Sequence, residues 1–152
     1  MNYLLDTNIL LIYGRSIEIA DKIEAELRLF NGNHNLAISA LTLGELDSLA
    51  KQFQYGNRRK IEIQKLLEGV FVIDINIQKI IDRYGDVDAF SQGKLKNKES
   101  NFSARNMGKN DLWIAATASV YDLKLVTADK DFNHLDGIYL DLIQVELEKF
   151  KK

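Results

Sequence analysis

Short apolar runs alternate with longer, charge-studded stretches along this chain, and that alternation narrows the fold before any single residue is considered. Asn2–Leu5, residues 36–40, residues 70–75 and Lys124–Thr127 have the length and composition of buried strands. Between the first two, residues 16–30 place Ile19, Ile23, Leu27 and Phe30 three and four positions apart with charges between them, which predicts an amphipathic helix. Asn31-Gly32-Asn33 then supplies turn chemistry. Leu46, Leu49, Ala50 and Phe53 repeat at helical spacing, and residues 58–67, 77–84 and 112–121 predict three more helices. A last strand is expected within residues 138–145, with 147–152 as a tail. Residues 85–108 are polar, lysine-rich and poorly periodic, and read as mixed helix and loop. Strands alternating with helices imply βαβ units, hence a central parallel sheet between helical layers with right-handed crossovers.

At 152 residues, and with 46% hydrophobic residues to fill one core, the expectation is a single domain spanning 1–152. No apolar stretch approaches the roughly 20 residues that a bilayer requires. Met1-Asn2-Tyr3-Leu4-Leu5-Asp6 has no basic region or small-residue cleavage site of a signal peptide, so a cytoplasmic protein with no membrane partner is expected. Without cysteine there is no thiolate metal site, and two histidines leave little for imidazole chemistry. Polar catalysis must then lean on carboxylates. A net charge of −2 argues against a strongly basic nucleic-acid binder, although a local patch counts for more than the total.

Each prominent acid has an ordinary structural role open to it. Asp6 can cap a helix beginning near Asn8, Thr42-x-x-Glu45 reads as a capping box, Asp111 opens a helix, and Asp129 or Asp131 can cap a turn. Their joint placement adds a second role. Asp6, Glu45 and Asp129 each follow a strand, and Asp111 starts the helix that runs back before the last of these strands. All four therefore fall along one edge of a parallel sheet, where the sites of open α/β sheets gather. Asp74 also ends a strand, so topology alone does not select the four. Four acids on one edge repel unless a cation holds them, and hard oxygen ligands favour Mg2+ or Mn2+. Such ions suit in-line phosphoryl chemistry.

At four places the sequence resembles the PIN domain, and most closely the VapC-like toxins of type II toxin–antitoxin pairs. The matching pieces are Leu4-Leu5-Asp6-Thr7-Asn8, Thr42-Leu43-Gly44-Glu45-Leu46, Asn110-Asp111-Leu112-Trp113-Ile114-Ala115-Ala116-Thr117-Ala118 and Leu125-Val126-Thr127-Ala128-Asp129-Lys130-Asp131-Phe132. The resemblance implies a three-layer α/β/α sandwich and metal-dependent cleavage of RNA leaving a 5′-phosphate and a 3′-hydroxyl. It implies Asp6, Glu45 and Asp111 as central metal ligands and Asp129 as a fourth acid. Asn8 and Thr127 would hold carboxylates or waters in place, with Asp131 between that role and a plain turn cap. It also implies a VapB-like antitoxin as partner and a homodimer, through the helical face around residues 61–67 or 20–27. The stretch 85–109 is longer and more basic than a compact toxin carries before its Asn-Asp motif.

Lys94, Lys96, Lys98, Arg105 and Lys109 lead toward Asp111 and are candidates for holding an RNA backbone, against the commoner role of a solvated face. Arg58-Arg59-Lys60 form a second basic run. Tyr55, Phe90 and Phe102 could stack on bases, but packing is the usual role of such residues. Two alternatives remain. One is a non-catalytic PIN-like domain that binds RNA or protein. The other is a haloacid-dehalogenase-like phosphatase, whose chemistry wants a second acid two residues after the first, where this chain has Asn8.

Overall fold

The structure, a computed structural model, describes residues 1–96, 98, 100 and 102–151. Residues 97, 99 and 101 of the basic stretch, and Lys152 of the expected tail, lie outside the described residues.

Five parallel strands form one sheet: β1 (Asn2–Leu5), β2 (Asn35–Ser39), β3 (Phe71–Ile73), β4 (Lys124–Thr127) and β5 (Leu142–Gln144), in the order β3-β2-β1-β4-β5. Alternate strand residues face opposite layers. Tyr3, Leu5, Leu36, Ile38 and Val126 point to one side, where they meet Ile9, Leu10, Ile23, Leu46, Ile63 and Phe150. Leu4, Ala37 and Leu125 point to the other, against Val87, Phe90, Leu112, Ala115 and Phe132. The first layer is built from α1 (Thr7–Arg15), α2 (Ile17–Leu27), α3 (Ala40–Gln52), α4 (Asn57–Leu67) and the short α7 (Leu147–Phe150). The second holds α5 (Gln78–Ser91), α6 (Lys109–Val120) and a 3-10 turn, Lys130–Leu135. This is the α/β/α sandwich that the strand–helix alternation predicts.

Several boundaries differ from the sequence reading, each for a local reason. The helix expected over 16–30 begins one residue later, after a separate α1. Ser16 divides them: its N–H closes α1 on Ile12 O at 3.2 Å, and its hydroxyl caps α2 by accepting Ile19 N–H at 3.2 Å. Arg28, in the left-handed region at φ 50°, ends α2 before Phe30. The helix expected to stop at Tyr84 continues through Gly85 to Ser91, because Ile80, Val87 and Phe90 extend its buried stripe. The last strand is shorter than expected, since Gly137 at φ 75° turns the chain first. The tail instead docks α7 through buried Phe150. Phe90 and Phe102 pack edge-to-face at 5.4 Å, and the Arg59 guanidinium covers the Tyr55 ring at 3.8 Å.

A Cβ at Gly85 would meet nothing within 4 Å. Glycine there only weakens the helix, by up to about 1 kcal/mol relative to alanine. Gly85→Ala is expected to raise the melting midpoint by about 2–4 °C, read by thermal unfolding.

Among the described residues, no helix is long and apolar enough to cross a membrane.

Candidate metal centre

From β1 the chain steps outward through β2 to β3, then returns to lay β4 on the other side of β1. The strand order therefore reverses between β1 and β4, and the crevice beyond their C-terminal ends is the natural site of such a sheet. Asp6 leaves β1 there and Asp129 leaves β4.

Asp6 is nearly buried, 5% exposed, and every contact it makes fixes its direction. Oδ1 accepts the Thr7 N–H at 2.8 Å, so the capping role is real. Oδ2 accepts the Thr127 hydroxyl at 2.7 Å and the Asn8 amide at 3.2 Å. Asn8 Oδ1 in turn accepts the Ala128 N–H at 3.2 Å, and Thr127 Oγ1 accepts the Asp129 N–H at 3.0 Å. Asn8 and Thr127 thus tie the ends of β1 and β4 together around one carboxylate.

Glu45 sits in the second turn of α3 and accepts the Thr7 hydroxyl at 2.9 Å. The capping-box reading of Thr42 and Glu45 does not hold. α3 starts earlier, capped by Ser39, whose hydroxyl accepts the Leu41 N–H at 3.2 Å. Thr42 is buried inside the helix, its hydroxyl 3.0 Å from that of Thr7. Thr7 and Thr42 are the residues that sequence reasoning passed over. The signal was present, since Thr7 lies inside the first motif, but only the fold brings α3 beside it.

Asp111 lies in the first turn of α6, which begins at Lys109 rather than at Leu112 because Gly108 provides the N-cap. Carboxylate oxygens of Asp111, Asp129 and Asp131 come within 4.8 Å of one another. Asp129 also caps the 3-10 turn, accepting the Asp131 N–H at 2.9 Å. Asp131, the weaker candidate from sequence, stands as close to Asp111 as Asp129 does within that limit. Asp74 is an exposed turn residue that accepts the Asn76 N–H at 3.1 Å and is not part of the group of Asp111, Asp129 and Asp131.

Two opposing effects act on these acids. Helix starts favour an anion by about 0.3–1 kcal/mol. Two carboxylates 4.8 Å apart repel by on the order of 3 kcal/mol at an effective dielectric of about 20. Repulsion and burial win. Burial raises Asp6 from 3.8 to about 6 despite the Thr127 and Thr7 hydrogen bonds that pull it down, with Glu45 and Asp129 adding to the rise. Burial also raises Asp111 to about 7, helped by Asp6, Asp129, Asp131 and Glu45. Asp6 and Glu45 lie outside the 4.8 Å group of Asp111, Asp129 and Asp131 but act on Asp111 through their charges, and all the ligand atoms on offer are oxygens. That is the donor set of Mg2+ or Mn2+.

A carboxyl with a higher pKa folded than unfolded holds more protons in the native state between the two values, so native stability falls as pH rises through that window. The window runs from about 4 to about 6 for Asp6 and to about 7 for Asp111. In chelator, unfolding at pH 5 and pH 8 is expected to show the protein less stable at pH 8 by on the order of 2 kcal/mol. Most of this comes from buried Asp6, because Asp111 is partly solvated and its share is screened. Equal stability at the two values would contradict the clustering.

The basic candidates do not form one stripe. Lys109 is exposed two residues from Asp111, and Lys94 and Lys96 are exposed beyond α5. The Lys98 ammonium lies 4.2 Å from the Tyr139 ring and the Arg105 guanidinium 5.9 Å from that of Phe102, so both are engaged by aromatic faces. Residues 20–27 are not a free dimer face either. Ile23 is fully buried, and Ala20 and Leu27 pack on the same core. On α4, Ile63 is buried and Leu66 and Leu67 pack inward, leaving Ile61 exposed.

An open parallel sheet with an acidic cluster at its switch point defines the class: an α/β protein that gathers carboxylates at the C-terminal edge of its sheet. The chain belongs to the PIN-domain family, whose model matches residues 3–138. Among solved structures it is similar to a chain of VapBC-1 from nontypeable Haemophilus influenzae, with 28% identity, TM-score 0.63 and full coverage of both chains. It is similar to a toxin–antitoxin complex from Klebsiella pneumoniae, with 26% identity, TM-score 0.60 and coverage of 93% of this chain and 96% of that one. VapBC2 from Rickettsia felis, bound to a promoter DNA fragment, shares the fold at TM-score 0.70 and 23% identity, covering 95% and 98%. No curated protein matches the chain. The PIN match removes the phosphatase alternative, in keeping with Asn8, whose amide is taken up by Asp6 and the Ala128 backbone.

Proposed function

We propose that this protein is an endoribonuclease that cleaves RNA by metal-assisted hydrolysis. The observation that carries the reading is the gathering of acids at this edge: Asp111, Asp129 and Asp131 have oxygens within 4.8 Å of one another, and the charges of Asp6 and Glu45 reach Asp111 as well. Retained acids of this kind also weigh against a non-catalytic binding domain. Asp6, Glu45, Asp111 and Asp129 would hold Mg2+ or Mn2+, with Asp131 beside them. When bound, the ion supplies a polarised water and neutralises charge on the scissile phosphate. The chain's own contribution is orientation. Thr127, Asn8 and Thr7 hold Asp6 and Glu45 in fixed directions, as ligands of a metal site require. Burial, with the charges of Asp6, Asp129, Asp131 and Glu45, raises Asp111 to about 7, so in the metal-free protein its carboxylate forms near neutral pH. Lys109 faces solvent at the start of α6 and suits the RNA backbone, and Lys94 and Lys96, exposed after α5, are proposed to extend that contact.

The test is cleavage of a labelled single-stranded RNA with and without Mg2+ or Mn2+. Products bearing a 5′-phosphate and a 3′-hydroxyl, formed only with the ion, are expected. Equal cleavage in chelator would remove the reading. A VapB-like antitoxin is the proposed protein partner, on the strength of the toxin–antitoxin complexes that the fold matches. A homodimer using the Ile61 side of α4 is proposed with it, and a monomer mass by light scattering would exclude that assembly.

A further inference from the structure

Beside the acids, α3 leaves one stripe open. Leu41, Glu45, Ser48 and Gln52 recur at three- and four-residue spacing and line a groove of about 560 Å3, closed on its far side by Ile75 and Asn110. The volume suits a small ligand or one unit of a polymer. Asn110 is the neighbour of Asp111, and Glu45 belongs to both groove and acid cluster, so the groove opens directly from the candidate metal centre. From Glu45 it extends about 10 Å along the helix to Gln52.

The lining selects what can lie there. Leu41, Leu49 and Ile75 supply apolar walls. Among the described residues no cation lines the groove and its one charged residue is Glu45, so a phosphate would meet repulsion rather than a partner. A flat, neutral, polar-edged ring fits better. Gln52 Nε2 donates to Ser48 Oγ at 2.8 Å, which leaves the Ser48 hydroxyl proton, the Gln52 carbonyl oxygen and the second Gln52 N–H for another group. Asn110, which also lines the groove, adds a side chain with a further amide.

We infer that this groove is a nucleobase subsite, in which Ser48, Gln52 and Asn110 read the edge of the base next to the scissile phosphate. The inference rests on the nuclease reading and adds to it the determinant of sequence preference. Gly44 gives it a clean probe. The residue is helical, and a Cβ built there meets nothing within 4 Å, so a side chain at 44 enters open space beside the groove it lines. Replacing a helical glycine also removes a penalty of up to about 1 kcal/mol.

The experiment compares wild type, Gly44→Leu and the double variant Ser48→Ala/Gln52→Leu on an RNA library of randomised sequence. Melting curves with and without Mn2+ run alongside. Gly44→Leu is expected to keep or raise the melting midpoint, keep the Mn2+ response and lose at least about 10-fold in cleavage rate. The double variant is expected to keep cleaving while its preference at one nucleotide position relaxes by about 10-fold, the size of effect that unpaired polar groups of a recognition site produce. Wild-type rates and cut sites in both variants would overturn the subsite and leave the nuclease reading intact. If wild type cleaves no RNA, the nuclease reading falls and the groove is judged by titration with the four uncharged ribonucleosides. Base-selective binding lost in Gly44→Leu supports it, and no selective binding overturns it.

Discussion

Asp111→Asn is expected to cut RNA cleavage at least 100-fold while leaving the metal-free protein as stable as wild type or more stable. The activity loss follows from position. Asp111 lies with Asp129 and Asp131 inside a 4.8 Å cluster, and burial together with the charges of Asp6, Asp129, Asp131 and Glu45 opposes its ionisation. Losing even a group that only orients a metal ligand typically costs about 10–100-fold, so losing a ligand costs more. The stability gain follows from the same field. The amide keeps the carboxylate's shape and removes a charge that four acids repel. A functional loss paired with an unchanged or higher melting midpoint in chelator separates a charge held for function from one held for folding. A sharp fall in stability would instead mean that Asp111 serves mainly to start α6.

Divalent metal is expected to raise the melting midpoint by about 5–11 °C. An ion that binds only the folded chain stabilises it by about 2.7 kcal/mol at 100 times its dissociation constant, and for a domain of this size each kcal/mol moves the midpoint by about 2–4 °C. The effect should depend on pH, because the ion competes with protons held on Asp6 to about pH 6 and on Asp111 to about pH 7. It is expected to be small at pH 5 and full at pH 8, opposite to the metal-free trend, in which stability falls as pH rises. Mn2+ should act at lower concentration than Mg2+, following the usual affinity order and the reluctance of Mg2+ to shed water. In Asp111→Asn the response should shrink. Scanning fluorimetry of both proteins across pH reads all of this, and an equal response in the two would put the ion elsewhere.

Much of this site is legible in the residues themselves because a parallel sheet brings its strand exits to one edge. Asp6 and Asp129 follow apolar runs directly, so their meeting needs only the topology that strand–helix alternation implies. Asp131 is less legible. Its approach to Asp111 depends on a 3-10 turn folding back on α6, and a turn cap and a metal ligand look alike in sequence. Thr7 and Thr42 act through a contact between α1 and α3 that no local pattern encodes. The continuation of α5 through Gly85 is not encoded locally, because an isolated glycine resembles a stop and only the burial of Val87 and Phe90 carries the helix on. The groove beside Glu45 has only one wall in a readable stripe, the α3 positions. Ile75 and Asn110 join it through tertiary packing.

The most direct test of the metal centre is the anomalous scattering of Mn2+ in crystals of the protein. A peak is expected at the C-terminal ends of β1 and β4, about 2.0–2.6 Å from oxygens of Asp111 and Asp129. Asp6, Glu45 and Asp131 should be bound to it directly or through one water. A peak elsewhere on the chain, or none at a Mn2+ concentration that stabilises the protein in solution, would contradict it.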